Sequence, residues 1–471
     1  MTAERIASLD ACVVGDSLPA FAAALELAEV GLRVRVLLPG AGVWPETGEP
    51  DPDHALTALL DRIAAPISGG GPAVPAALPT AEAPGRVLMA DARGGWSPVP
   101  QPSVFGIPAV PASSESLAFL RGGAAVRAYL DRVKPLLTIG KTHELGRLVH
   151  LRMGEAVFDR LVAPLVRERF GVADVEVAVA APGLNEALTL AGSLSGAVLA
   201  YSERHVARET RVAPAGGWPA LRAALMDRLA LYGVELFELD AAADLVDGIT
   251  GTGFEVETGQ GSWAVRHGDE ACEAQALVVD TSVRLPVALA EALAVLRPTN
   301  RRARTVVPVT GTGAQVEAVA AASADAHAAD APADALADAL STVEASGGAW
   351  SVRLVREHDG GMVARLAGPA VTSEDAECAT GAASAAGEAR TVLEAAGLTA
   401  LSPLRVEWRA APYVSLAERD AARARLVGER EADPSLLAVG RELHGDDLAV
   451  AVADATASAT ALRRRLTGIS D

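Results

Sequence analysis

The sequence predicts an α/β protein: a Rossmann-like domain with strands from the beginning, middle and end of the chain, and a discontinuous α+β domain built from the blocks between them. Three observations predict this. Residues 11–39, ACVVGDSLPAFAAALELAEVGLRVRVLLP, read as an apolar strand, a turn beginning at Gly15, an Ala/Leu-rich helix and a second apolar strand ending at Leu38, which together make a βαβ unit. Residues 216–240, GGWPALRAALMDRLALYGVELFELD, repeat that logic with a glycine pair, a helix, a glycine stop and a strand. Near the end, LLAVG (436–440) is a strand, followed by a loop and a final helix over 449–465.

The elements between follow from local pattern. After the first unit, PGAGVWPETGEPDPDH is turn-rich, ALTALLDRIAAPIS (55–68) has helical spacing, and SGGGPAVPAALPTAEAP is a loop. GRVLMADARGGWSPVP (85–100) predicts a β-hairpin, and a predominantly helical block runs from Ser114 to about Leu199. FEVETG and AQALVVDTS supply strands. The tract AVAAASADAHAADAPADALADALS (318–341) is either a linker or, in its later half, an Ala-rich amphipathic helix. Trp350 to Gly368 alternates as a hairpin around Asp359-Gly360-Gly361. The expected division is 1–80, 212–300 and 430–471 for the Rossmann-like domain, and 81–211 with 301–429 for the second domain.

Composition narrows the class. At 471 residues the chain exceeds one compact core, and 50% apolar with 21% charged residues reads as globular. A net charge of -19 argues against nucleic acid or an anionic membrane as a partner. Cys12, Cys272 and Cys378 form no metal-ligand spacing, and their odd number fits a reducing compartment. The opening MTAERIASLD lacks the apolar core of a signal peptide, and no apolar run approaches the roughly 20 residues of a transmembrane segment, so a cytoplasmic location is expected. No G-x-S-x-G elbow, Walker loop, H-E-x-x-H or paired C-x-x-C occurs, which leaves hydrolase, NTPase and zinc readings without support.

The helical block carries a family resemblance. LGRLVHLRMGEAVFDRLVAPLVRERFGVADVEVAVAAPGLNEALTLAGSLSGAV (145–198) resembles the corresponding segment of the bacterial protoporphyrinogen and coproporphyrinogen oxidases, flavoenzymes of haem biosynthesis in the amine-oxidase superfamily. VLMADARGGWSPVP with FGIPAVP, APAGGWPALRAAL, WRAAPYVSLAERDAARARLVG and the last strand-loop-helix fall in the same order, so the resemblance extends over essentially the whole chain. It implies an amine-oxidase-like architecture: FAD in the Rossmann-like domain and a porphyrinogen facing the flavin. It also implies an oxidation that passes hydride to FAD and then electrons to oxygen.

The cofactor elements depart from the family pattern at four places. The opening turn G-x-G-x-x-G becomes Gly15, Ser17 and Ala20, with Asp16 and Pro19 adding a charge and removing an N–H at the helix start. The acid that should accept hydrogen bonds from the adenosine ribose is replaced by Leu38. The segment after it, PGAGVWPETGE, keeps Gly40 and Gly42 but has no arginine before Arg62. The final loop, AVGRELHGDDLAVAVADA, keeps Gly440, Gly445 and Leu448 but places Asp446 and Asp447 where a pyrophosphate would meet like charge. These degenerate positions predict a homologue with weak or lost FAD binding, a pseudoenzyme that binds a tetrapyrrole intermediate or a haem-pathway protein. The alternative is an active FAD- and O2-dependent coproporphyrinogen or protoporphyrinogen oxidase. If lost side chains explain the defect, Ser17→Gly, Leu38→Glu and Asp447→Gly together are expected to restore measurable FAD affinity. No catalytic residue is assigned.

His143, His150 and His205 lack i, i+4 ligand spacing and read as surface or capping residues rather than metal ligands. His444, beside the cofactor turn, reads as a solvated loop residue. The arginines of NRRART (300–305), Arg301, Arg302 and Arg304, have the chemistry to meet porphyrin propionates, although an exposed connector is the preferred reading. Arg463, Arg464 and Arg465 suit the C-terminus of the last helix.

Overall fold

The computed structural model describes residues 7–40, 42–67, 73–82, 85–134, 143–204, 211–239, 245–246, 249–250, 253–259, 261–268, 270–328, 337–357 and 360–468. The chain divides into two compact units: Met1–Glu82, Arg208–Arg297 and Asp420–Asp471 form the first, and Ala83–Ala207 with Pro298–Arg419 the second.

The first unit is a parallel sheet with helices against it. Its elements are β1 (Ala7–Val14), α1 (Leu18–Ala28), β2 (Val34–Leu38), α2 (Ala55–Ala64), α3 (Gly217–Leu231), β3 (Glu235–Glu238), β4 (Glu255–Thr258), β5 (Trp263–His267), β6 (Glu270–Asp280), β7 (Leu436–Val439) and α4 (Leu448–Leu466). Strands β3, β2, β1 and β6 lie side by side and parallel. The far edge of β6 is shared: β5 pairs antiparallel along its first half, from Glu270 to Ala274, and β7 parallel along its second, from Leu277 to Asp280. Strand β5, not foreseen from the sequence, completes a hairpin with β4.

The central strands are apolar on both faces because both faces are covered. Ala11, Val13, Val36 and Val278 face a cluster with Phe21, Leu25, Leu60, Leu221 and Val452 from the four helices. Cys12, Val14, Leu277 and Val279 face a second cluster containing Trp263, Leu289, Leu293 and Leu426. Every residue of α1 is buried, and its run of alanines shares a core with Ala455 and Ala459 of α4, so small side chains let the two helices pack closely. Arg62 of α2 ties itself to Glu26 on α1 at 2.7 Å and to Glu29, the C-cap of α1, at 2.5 Å, and Arg463 of α4 also bonds Glu26. Arg463 therefore binds a specific carboxylate as well as suiting its own helix end.

The second unit contains an eight-stranded sheet. In order it runs Leu398–Ala400, Asn300–Gly311, Met362–Thr372, Gly348–Arg356, Ala337–Ala345, Arg86–Ala90 and Trp96–Pro98, with Glu407–Ala410 also on the Asn300–Gly311 strand. Both expected hairpins are present, pairing Leu88 with Pro98 and Val352 with Leu366. One core lies around Trp350, Val352 and Leu366, and a second around the helices between Leu145 and Tyr201.

Two expectations are corrected. NRRART is not an exposed connector: it opens the long strand Asn300–Gly311, and Arg302 is fully buried. Burial is tolerable because the guanidinium donates to the carbonyls of Arg167 (3.0 Å), Glu168 (2.9 Å), Arg169 (3.1 Å) and Gly368 (2.8 Å). Three of these acceptors lie in the last turn of the helix Ala163–Phe170, where the Arg167 carbonyl already accepts the Gly171 N–H and carbonyls beyond it run out of helical donors. In the Ala-rich tract the helix occupies the earlier part, Ala314–Ala328, whereas Ala337 to Ser341 belong to a strand; residues 329–336 lie outside the described residues.

Candidate cofactor groove

Strands β1, β6 and β7 end together at the C-terminal edge of the parallel sheet, the edge where open α/β sheets bind ligands. Gly15 leaves β1 with φ +141°, and a Cβ there would lie 2.3 Å from the Cβ of Asp280, the last residue of β6. Gly440 leaves β7 with φ +136°, and its Cβ would lie 2.7 Å from Thr281 Oγ1 and 3.1 Å from Asp280 Oδ1. Both glycines are therefore required by the packing of the chain against Asp280, whatever else they contact. Asp280 is fully buried, and its Oδ1 accepts from the Ser282 N–H at 2.9 Å and the Ser282 hydroxyl at 2.7 Å. Burial, with Asp16 as a nearby like charge, raises its carboxyl above the ordinary aspartate range.

The turn between β1 and α1 is occupied by the chain's own groups. Asp16 is buried, and its Oδ1 accepts from the Gly42 N–H at 2.7 Å while its Oδ2 lies 3.1 Å from Arg222 Nη2 on α3. Trp44 Nε1 donates to the Asp16 carbonyl at 2.8 Å, and its ring lies 6.0 Å from Phe21 of α1. A Cβ on Gly42 would stand 2.6 Å from the Asp16 backbone carbon, so this segment presses directly on the turn. Ser17 is the N-cap residue of α1 but makes no side-chain cap bond, Pro19 sits in the first turn where a missing N–H is tolerated, and Ala20 is fully buried.

The second side of the groove is built by the loop after β7. Arg441 is buried, its Nε 2.6 Å from Asp446 Oδ1 and its Nη1 3.3 Å from Glu49 Oε1, and its Nη2 donates to the Asp446 carbonyl at 2.8 Å. Asp446 adopts φ +61°, a left-handed turn that aspartate tolerates better than most residues. Asp447 is the N-cap of α4, its Oδ1 accepting from the Val450 N–H at 3.2 Å. It satisfies a helix end, a role distinct from the repulsive one the sequence suggests. Leu448 is buried behind it, Gly445 makes a left-handed turn at φ +61°, and Leu38 is buried in the helix-covered core.

His444 is not a solvated loop residue: its Nε2 lies 3.2 Å from Asp454 Oδ2 and its side chain is 13% exposed. Asp454 also receives Arg430 Nη1 at 2.9 Å and Nη2 at 2.6 Å. Burial opposes ionisation of Asp454, but Arg430 and His444 outweigh it and hold the carboxyl well below the usual carboxylate range. His205 lies outside the described residues. Among the described residues no cluster of three or more His, Cys, Asp or Glu could hold a metal, and no helix is long and apolar enough to cross a membrane.

The structure places Gly15 and Gly440 on either side of Asp280; the sequence reading misses Arg222, which reaches Asp16 from 206 residues away, and Arg441, which lies within the final loop itself. The signal that could have found them is the unpaired acid in each turn, Asp16 and Asp446, since a buried carboxylate demands a cation. The residues fit a dinucleotide poorly. A pyrophosphate at the opening turn is held by backbone N–H groups and the helix N-terminus, and is opposed by a fixed negative charge there. Here the Gly42 N–H is bonded to Asp16, and both groove arginines are paired with carboxylates. The ribose acceptor is replaced by Leu38.

The chain shares its fold with solved structures that it resembles only distantly in sequence. A solved structure from Exiguobacterium sp. 255-15, provisionally named a protoporphyrinogen oxidase, is similar at 15% identity and TM-score 0.61, covering 98% of this chain and 100% of that one. A UDP-galactopyranose mutase in its reduced form matches at 10% identity and TM-score 0.54, covering 98% of this chain and 96% of its own. An oxidoreductase from Methanosarcina mazei matches at 12% identity and TM-score 0.50, covering 95% and 99%. Protein-family models and curated proteins give no match.

Proposed function

We propose that this chain is a divergent porphyrinogen-oxidase-like protein of haem biosynthesis, acting in the cytoplasm, that holds FAD weakly or not at all and binds a tetrapyrrole intermediate or a protein of that pathway. The observation that carries the reading is that both arginines of the groove are neutralised by the chain's own acids, Arg222 by Asp16 and Arg441 by Asp446 and Glu49. The family phrases between Leu145 and Val198, and a fold shared with a protein provisionally named a protoporphyrinogen oxidase, support the tetrapyrrole part. Arg302 is unsuited to a propionate because its donors are committed to four carbonyls, so the cationic partners of a porphyrin are sought elsewhere.

The test is titration of the purified protein with coproporphyrin and protoporphyrin, followed by porphyrin fluorescence and the Soret band. Saturable binding tighter than about millimolar, worth roughly 4 kcal/mol, is expected for at least one of them. If neither binds, the tetrapyrrole reading fails and a protein partner takes its place. Turnover of a porphyrinogen with added FAD and oxygen would establish the active-oxidase alternative.

A further inference from the structure

We propose that Asp16 is a built-in replacement for the cofactor's phosphate: its carboxylate occupies the opening turn, holds the Gly42–Trp44 segment and Arg222 in place, and keeps dinucleotides out of a unit that folds without one. This rests on the flavin-deficient reading and specifies its cause.

The argument is one of matched chemistry. A phosphate oxygen in this turn would accept from backbone N–H and attract a guanidinium. Asp16 does both, through Gly42 N at 2.7 Å and Arg222 Nη2 at 3.1 Å, while its own carbonyl takes the Trp44 indole at 2.8 Å. The partners lie 26, 206 and 28 residues away, so one residue pins three segments to the turn. A dinucleotide would have to displace the carboxylate from Gly42 N–H and Arg222 and bring a second negative charge beside it.

Substitution at Asp16 exchanges a fixed anion for a mobile one. In Asp16→Gly the carboxylate is gone, Arg222 and Gly42 N–H lose their partner, and the turn gains the smallest side chain beside Gly15. The experiment compares the full-length parent, Asp16→Gly and Asp16→Asn for melting temperature with and without millimolar ADP, for FAD binding by fluorescence, and for amide exchange at Gly42 by mass spectrometry.

The parent is expected to show no ADP shift, no FAD binding and a protected Gly42 region. Asp16→Gly is expected to melt lower, exchange faster at Gly42 and regain about 2 °C or more on addition of ADP. Asp16→Asn keeps an acceptor for Gly42 but loses the charge, so it should retain Gly42 protection while melting lower than the parent. If Asp16→Gly does not fold, a fully protected Asp16→Asn that melts with the parent overturns the proposal. A folded Asp16→Gly that melts with the parent, or gains no ADP response, overturns it too, while leaving the flavin-deficient reading standing. A parent that binds FAD at one per chain overturns both.

Discussion

Asp454→Asn tests how firmly the loop after β7 is held. In the parent, Asp454 joins three pieces of the first unit: Arg430 donates two hydrogen bonds at 2.9 and 2.6 Å, and His444, in the loop between Gly440 and Gly445, contributes a third contact at 3.2 Å. Charge-assisted hydrogen bonds contribute about 1.5 to 3 kcal/mol each when well placed. Both side chains here are a little over one-fifth exposed, so screening reduces the pair, and a loss of about 2 kcal/mol at pH 7 is expected. The pH dependence follows from the depressed acidity of Asp454. An aspartate held below its unfolded value, near 4, stabilises the fold above that pH and loses the contribution as pH falls through the folded value. Urea unfolding followed by circular dichroism from pH 7 to pH 3 should therefore show a gap between parent and Asp454→Asn that is widest at neutral pH and narrows below about 4. A gap that is absent at pH 7, or that stays constant to pH 3, would refute the assignment of this stability to an ionised Asp454.

Two further outcomes follow. Arg302→Met should destabilise the second unit by about 3 to 5 kcal/mol in urea unfolding, because carbonyls at the end of the Ala163–Phe170 helix lose buried donors; a loss below about 1 kcal/mol would mean those carbonyls find other partners. The combination Ser17→Gly, Leu38→Glu and Asp447→Gly, attractive from the sequence, should not restore FAD affinity while Asp16 remains, and should cost about 1 kcal/mol or more through the lost cap of α4, measured by isothermal titration and melting temperature; tight FAD binding by this variant would contradict the self-closed groove.

Much of the fold is legible because its signals are local. The β1–α1–β2 unit, the final strand and helix, and the paired strands 86–90 with 96–98 and 348–356 with 362–372 announce themselves by periodicity and turn residues. What is illegible depends on partners far along the chain. NRRART looks solvent-exposed until Gly368 and the end of a helix more than 130 residues earlier supply acceptors for Arg302. Strand β5 is bracketed by turn glycines at Gly259, Gly261 and Gly268 but is only five residues long, and its pairing with β6 fixes it as a strand. The Ala-rich tract has little amphipathic pattern, so tertiary context alone selects helix to Ala328 and strand from Ala337. At the candidate site, the missing glycines and the missing acid could be read directly, whereas the reason the groove tolerates Asp16 could not, because Arg222 lies 206 residues away; the partner of Asp446, Arg441, stands only five residues before it.

The central claim is that this fold stands with its groove closed to flavin. The visible spectrum of the protein purified by gel filtration, with FAD quantified after denaturation, tests it directly. The account predicts a folded protein with absent or clearly sub-stoichiometric flavin; a stable yellow protein retaining FAD at one per chain would contradict it.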